Sequence, residues 1–158
     1  MPIFLRFRQG SDFNSKAIVA LEKTAIPFTP SHAEAVTPDG LWLGALFDDG
    51  VQERPAGYDK ATTAHELFLM LPATDDQSAQ FYAFLRSHIG EPYDWAAISG
   101  FLIPHSEHTV NHTICSALIT NGLRVCKWYK WPLAAPFHLI DPRDLLLMIS
   151  TVLEVPMG

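Results

Sequence analysis

Cysteine is scarce in this sequence, which contains only Cys115 and Cys126. If one helix held both residues, it would separate them by about 16 Å, at a rise of 1.5 Å per residue. That distance is too long for a disulfide bond. The sequence therefore predicts two free thiols in a reducing compartment rather than a disulfide framework.

An excess of positive charge and long apolar runs are also missing. The chain has 11 Lys and Arg against 17 Asp and Glu, a formal net charge of −6, so it has no electrostatic reason to bind nucleic acid. No segment has the apolar length of a membrane span, and the first residues lack the pattern of a signal peptide. We expect synthesis in the cytoplasm without stable membrane insertion, and we leave open an extracytoplasmic site of action.

The sequence is otherwise typical of one globular domain. Of its 158 residues, 48% are hydrophobic and 18% are charged, which is enough apolar material for a sizeable core. We find no internal repeat, low-complexity tract or domain boundary. The prediction is a single domain over residues 1–158.

Alternation of apolar and polar residues predicts several strands. The Pro38-Asp39-Gly40 turn favours a hairpin between two of them. The run Leu67–Leu71 is continuously apolar, which predicts a central strand covered on both faces. Residues 51–60 are interrupted by Pro55 and Gly57 and are predicted to form a loop. The predicted strands are Ile3–Arg8, Phe28–Thr37, Leu41–Phe47 and Ala64–Leu71.

Helical spacing and capping residues predict five helices. Asp141 and Pro142 mark a clear helix start, whereas Asn121-Gly122 is interpreted as a helix end. Cys126 then follows that end and is predicted to be a partly buried structural thiol. The predicted helices are Phe13–Lys23, Asp75–Gly90, Tyr93–Phe101, Cys115–Gly122 and Asp141–Ile149.

Cys115 is the candidate nucleophile because a polar turn gives way there to an apolar, helix-period run. At the first turn of a helix, unpaired backbone N–H groups and the positive end of the dipole stabilise a thiolate. A nucleophilic cysteine also needs a histidine base, which a third polar group usually orients. His32 and Glu34 lie two apart on a predicted strand, so their side chains share a face.

A metal site is the alternative for the histidine-rich loop before Cys115. His105, His108 and His112 have a spacing that suits one helical face. Pro104 and the Thr109-Val110 pair disfavour a helix there. We therefore predict a solvated loop, with no metal and no cofactor.

Three motifs, taken in order, resemble the circularly permuted branch of the NlpC-type papain-like superfamily. They are Ser31–Val36, Gly90–Trp95 and Cys115–Ile119, and the similar region spans Ile26–Leu123. In that branch the histidine strand precedes the cysteine helix. The resemblance implies an α+β fold in which a small antiparallel sheet packs against the helix that bears the nucleophile. It also implies thiol-dependent hydrolysis or transfer at amide or acyl bonds, including those of cell-wall peptides.

Carried over by position, the resemblance assigns Cys115 as nucleophile and His32 as general base. Tyr93 would lie beside the cysteine, where its phenol could donate to an oxyanion or position the substrate. The backbone N–H of Cys115 would be a further oxyanion donor. Ser31 and Ser116 complete the predicted substrate and oxyanion set.

The third catalytic residue is where the chain departs from the family pattern. The family often takes this polar group from the strand after the histidine, but Leu41–Ala45 contains no polar side chain. Glu34 is the predicted substitute. The alternative is that Glu34 lies at the rim of the site and selects a cationic or amine-bearing substrate.

The sequence thus predicts a cysteine peptidase or amidase whose partner is a peptide, amide or acyl substrate. One alternative is a non-catalytic phage or prophage module for assembly or binding, built on the same fold. A further alternative is an acyltransferase or lipid-directed thiol hydrolase. The oligomeric state is left open.

Overall fold

The structure is a computed structural model that describes residues 1–11, 28–93, 114–129 and 140–153. The helix predicted over Phe13–Lys23, nearly all of the one over Tyr93–Phe101 and the histidine loop lie outside the described residues.

The described residues form an α+β fold with a five-stranded antiparallel sheet and three α-helices. The strands are β1 (Ile3–Gly10), β2 (His32–Val36), β3 (Leu41–Leu46), β4 (Gly50–Pro55) and β5 (Thr63–Leu71). The helices are α1 (Asp75–Ser87), α2 (Cys115–Val125) and α3 (Pro142–Leu153), and a short 3-10 turn covers Lys60–Thr62. The strand order is β4-β3-β2-β1-β5. None of the helices within these segments is long and apolar enough to cross a bilayer.

The hairpin predicted at Pro38-Asp39-Gly40 is confirmed. Gly40 adopts a φ of 84°, which glycine reaches at little steric cost. The Thr37 N–H donates to the Leu41 carbonyl at 2.8 Å, and Ala35 pairs with Leu43. The turn therefore sets the register that aligns β2 with β3.

β1 lies between β2 and β5 and has two different faces. Ile3, Leu5 and Phe7 are fully buried in the hydrophobic core on one face. Arg6 and Arg8 alternate with them and therefore lie on the other face, where β2 places Glu34 and His32 opposite them. The sheet thus carries an apolar face and, at β1 and β2, a buried charged face.

The prediction of a central strand at Ala64–Leu71 is wrong. β5 pairs with β1 and forms one edge of the described sheet. Phe68 and Met70 are 50% and 60% exposed. A short apolar run shows that a strand is hydrophobic, but it does not show that both of its faces are covered.

The loop predicted over 51–60 is also wrong in its first half, because these residues belong to β4, which pairs with β3. Gly50 is opposite Leu46 at one end of this pairing, and Pro55 is opposite Leu41 at the other. Pro55 is the last residue of β4, which forms the other edge of the described sheet. A proline is tolerated at such a position. Gly57 follows in a turn with a φ of 79°, so the loop is shorter than predicted.

The helix predicted to end at Asn121-Gly122 continues to Val125. A Cβ atom at Gly122 would lie 3.0 Å from the Phe81 ring. Glycine is therefore present because α1 and α2 pack closely at this point, and it does not mark a helix end. Cys126 is the C-cap of α2 and is buried.

The helix predicted from Asp75 is confirmed as α1, and α2 packs against α1, β2 and β3. Thr74 caps α1 by accepting from the Gln77 N–H, and the Gln77 side chain accepts in return from the Thr74 N–H. The α2 residues Leu118, Ile119 and Leu123 are buried in the core. This packing fixes α2 against the strand that carries His32.

Gly50 provides a test of this architecture. It has a φ of 68°, and a Cβ atom there would lie 2.1 Å from the Glu91 carbonyl oxygen. Gly40 has a similar φ with nothing within 4 Å of such an atom. We expect Gly40→Ala to lower the free energy of unfolding by about 1 kcal/mol and Gly50→Ala by about 3 kcal/mol or more, because only the latter adds a backbone clash to the strain. Urea unfolding of both variants measures the difference, and equal losses would contradict the structure.

Candidate functional site

Cys115 is the first residue of α2, as predicted from the sequence. The residue before it, Ile114, has an extended backbone and no polar side chain to cap the helix. The backbone N–H groups of Ala33 and Ser116 lie beside the Cys115 sulfur and contribute to the lowering of its pKa. The thiol therefore lies between the start of α2 and the start of β2, against donors that stabilise its anion.

His32 is the first residue of β2, and its side chain interacts with that of Cys115, since each shifts the pKa of the other. Both residues are buried, with exposed fractions of 4% for His32 and 2% for Cys115. The His32 Nε2 atom lies 3.4 Å from Glu34 Oε2. Because Nε2 faces Glu34, Nδ1 is the ring nitrogen left to exchange a proton with the thiol.

The electrostatics of the pair favour an imidazolium and a thiolate. Burial opposes protonation of His32, but the charges of Cys115 and Glu34 outweigh it and raise the pKa of His32 to about 9. Burial likewise opposes the thiolate, yet the charge and hydrogen bond of His32, with the two backbone donors, lower the pKa of Cys115. By contrast, burial raises the pKa of Cys126. The two thiols are therefore chemically different, as the sequence predicted.

Glu34 shares a face with His32, as predicted, and is fully buried. Burial by itself would raise the pKa of Glu34, but His32 and then Arg6 hold that pKa below its usual value. On the neighbouring strand, a Cβ atom at Gly44 would lie only 2.8 Å from the Glu34 Cβ. Gly44 on β3 therefore has no room for a polar side chain, because any side chain there would clash with Glu34.

Three further charged or polar residues reach Glu34 or its partners, and sequence reasoning missed them. The Arg6 Nη1 donates to Glu34 Oε1 at 2.5 Å, and the Tyr58 hydroxyl donates to Glu34 Oε2 at 3.2 Å. Asp59 accepts two hydrogen bonds from Arg6, at 3.0 and 3.1 Å. The only signal in the sequence is an arginine at alternate positions in an apolar strand, which is equally typical of a solvated face.

The predicted substrate and oxyanion residues lie in different settings. Ser31 accepts from the Gly10 N–H at 3.0 Å and so ties β2 to β1. Ser116 is fully buried next to Cys115, and its hydroxyl has no hydrogen-bond partner among the described residues. Tyr93 is buried in the core with its ring 6.2 Å from that of Phe47. The roles of these residues toward a substrate stay predictions.

Comparison with known proteins adds no family. No protein-family model matches the sequence, and no curated protein matches it. Across the four described segments, no group of three or more His, Cys, Asp or Glu side chains is arranged to hold a metal ion. The groups available for chemistry at this site are therefore His32, Cys115 and the side chains around them.

Gly44 provides a test of the site geometry. In Gly44→Ala, the added methyl group would push the Glu34 side chain away from His32, because the two Cβ atoms would otherwise be 2.8 Å apart. We expect a loss of about 1–3 kcal/mol of stability and slower alkylation of Cys115 at pH 7. Gly40→Ala is the control, since it strains the same sheet far from Glu34. It should leave Cys115 alkylation unchanged, and equal slowing in both variants would contradict the assignment.

Proposed function

We propose that the protein is a thiol-dependent hydrolase of amide or acyl bonds with a permuted papain-like site. In this proposal Cys115 is the nucleophile, His32 is the general base and Glu34 orients the histidine. The observation that carries it is the buried pair of Cys115 and His32 at the start of α2, in which the histidine lowers the pKa of the thiol, with a buried carboxylate behind the ring.

The first half of the reaction forms an acyl-enzyme. The Cys115 thiolate attacks the carbonyl carbon of the substrate, and the negative charge moves to the carbonyl oxygen. The backbone N–H of Cys115 is the proposed donor to that oxygen, and Tyr93 is a second candidate. As the intermediate collapses, the imidazolium of His32 gives its proton to the leaving amine or alcohol, and a thioester remains on Cys115.

The second half regenerates the enzyme. Neutral His32 takes a proton from a water molecule, which attacks the thioester carbonyl. Collapse of this intermediate expels the Cys115 thiolate and releases a carboxylic acid, while the proton stays on His32. The pair returns to its starting state. The negative charge of Glu34 favours both the orientation and the protonated form of His32 throughout.

The two alternatives differ in how they use the same residues. A non-catalytic assembly or binding module has no need for a histidine that interacts with the cysteine, so the mutual pKa shifts of the two buried side chains support the hydrolase. An acyltransferase would share the first half-reaction and replace water with an alcohol or amine acceptor. The two reactions therefore use the same site residues, and only the identity of the product distinguishes them.

Selective alkylation tests the nucleophile. With iodoacetamide we expect Cys115 to react below the usual thiol pKa of about 8.5, because its own pKa is lowered, while Cys126, whose pKa is raised, reacts only at higher pH. The Cys115 rate should fall as acidification takes the pH through the lowered pKa and protonates the thiolate. Mass spectrometry of each cysteine peptide gives both rates. Slow, equal labelling of the two cysteines would contradict the proposal.

Turnover tests the base and its orienting group. A panel of peptide and acyl substrates should be cleaved by the parent protein and not by Cys115→Ala. Activity should decline as the pH rises through about 9, because His32 then loses the proton that the leaving group needs. Glu34→Gln should move this decline to lower pH, because the lost carboxylate no longer raises the pKa of His32. At a pH above that pKa, each unit by which it falls should slow turnover by about tenfold.

His32→Ala should abolish the accelerated labelling of Cys115 while the protein stays folded. The matched control is His88→Ala, at the C-cap of α1, which should leave the labelling rate unchanged. Circular dichroism and thermal melting check the fold of both variants. If His32→Ala prevents folding, His32 is a core residue rather than the base.

A further inference from the structure

Arg6 is a buried cation that contacts three carboxylates. Its side chain is 1% exposed in the middle of β1. Nη1 contacts Glu34 and Asp59, Nη2 contacts Asp59, and Nε donates to Glu66 at 2.9 Å. Every nitrogen of the guanidinium group thus faces at least one carboxylate, and Nη1 and Nη2 share that of Asp59.

The flat face of the Arg6 guanidinium also has a contact, in addition to the hydrogen bonds at its edges. Its central carbon lies 3.9 Å from the centroid of the Trp42 ring, a cation–π contact. Trp42 in turn contacts the Tyr58 ring, with centroids 5.9 Å apart, and the Tyr58 hydroxyl donates to Glu34. The Glu34 carboxylate is therefore fixed at one oxygen by Arg6 and at the other by Tyr58 and His32.

The charges facing Glu34 alternate in sign across several elements. Cys115 on α2 faces His32 on β2, and Glu34 lies between His32 and Arg6 on β1. Beyond Arg6, Asp59 also pairs with Arg8 at 2.9 Å. The Glu66 side chain on β5 is 44% exposed, so it is the member of this charged cluster that lies nearest the solvent. Each buried ion thus has a partner of opposite charge, which a buried ion requires.

We propose that Arg6 is a positioning residue for the site, which acts through Glu34 by holding its carboxylate ionised and directed at His32. This inference rests on the proposed function and extends it to a residue that touches neither the thiol nor the imidazole. A buried ion pair contributes little net stability compared with apolar packing. A role in orienting the site explains the retained charges better than stability does.

An arginine suits this position better than a lysine would. Its planar fork presents five donors that can reach Glu34, Asp59 and Glu66 at once, whereas an ammonium group is a single point charge. Without Arg6, the buried Glu34 would lose one of the two cations that contact it and take up a proton more readily. Protonated Glu34 would no longer favour the imidazolium form of His32, so less Cys115 would be thiolate.

A double-mutant cycle tests this dependence in the full chain. Cys115 alkylation by iodoacetamide is measured at pH 7 for the parent, Arg6→Met, Glu34→Gln and the double variant. We expect each single substitution to slow labelling by about tenfold, and Arg6→Met to add less than about twofold when Glu34→Gln is already present. A merely structural arginine would slow labelling by the same factor in both backgrounds. Arg86→Met removes the same charge from α1, in contact with Glu53 and Asp39, and should leave the rate unchanged.

The outcomes separate the two proposals. Equal slowing by Arg6→Met in both backgrounds would overturn the role of Arg6 while fast labelling of the parent still supports the hydrolase. Slow labelling of Cys115 in the parent would overturn the hydrolase and the role of Arg6 together. If Arg6→Met shows no cooperative melting transition, the same cycle is run with Arg6→Lys. That variant keeps the charge but cannot span the carboxylates, and it should also slow labelling only when Glu34 is present.

Discussion

Burial of charge on one face of the sheet is the constraint on which the rest of the site depends. Glu34 has no exposed surface, so its ionised form persists only because Arg6, Tyr58 and His32 contact it. Desolvation strengthens these contacts and makes the loss of any one of them costly. The strands therefore need a tight register, because β1 and β2 must place Arg6 directly opposite Glu34.

The apolar side of the same sheet supports this arrangement. Phe7 and Ala33 are paired across β1 and β2 and are buried against the core. α2 packs against β2 and β3 on this side, and Gly122 allows its close approach to α1. The position of Cys115 is thus set by helix packing, while the position of His32 is set by strand pairing. The site forms where these two kinds of packing meet.

Local signals explain what could be predicted from the sequence. The hairpin turn and the start of α2 depend on residues within a few positions of each other, and the shared face of His32 and Glu34 follows from the period of a strand. The edge position of β5 and the continuation of α2 through Gly122 depend on which distant element lies alongside. The roles of Arg6 and Asp59 were missed for the same reason, because the two residues contact each other but are more than fifty positions apart in the sequence.

The close approach of Gly44 to Glu34 also bears on how such a site can vary. Side chains at positions 34 and 44 compete for the same space between β2 and β3, because a Cβ atom at position 44 and the Glu34 Cβ would overlap. A polar group can move from one strand to the other only if the two positions change together. Positions 34 and 44 should therefore covary among homologous sequences, with a small residue at one whenever the other bears the orienting group.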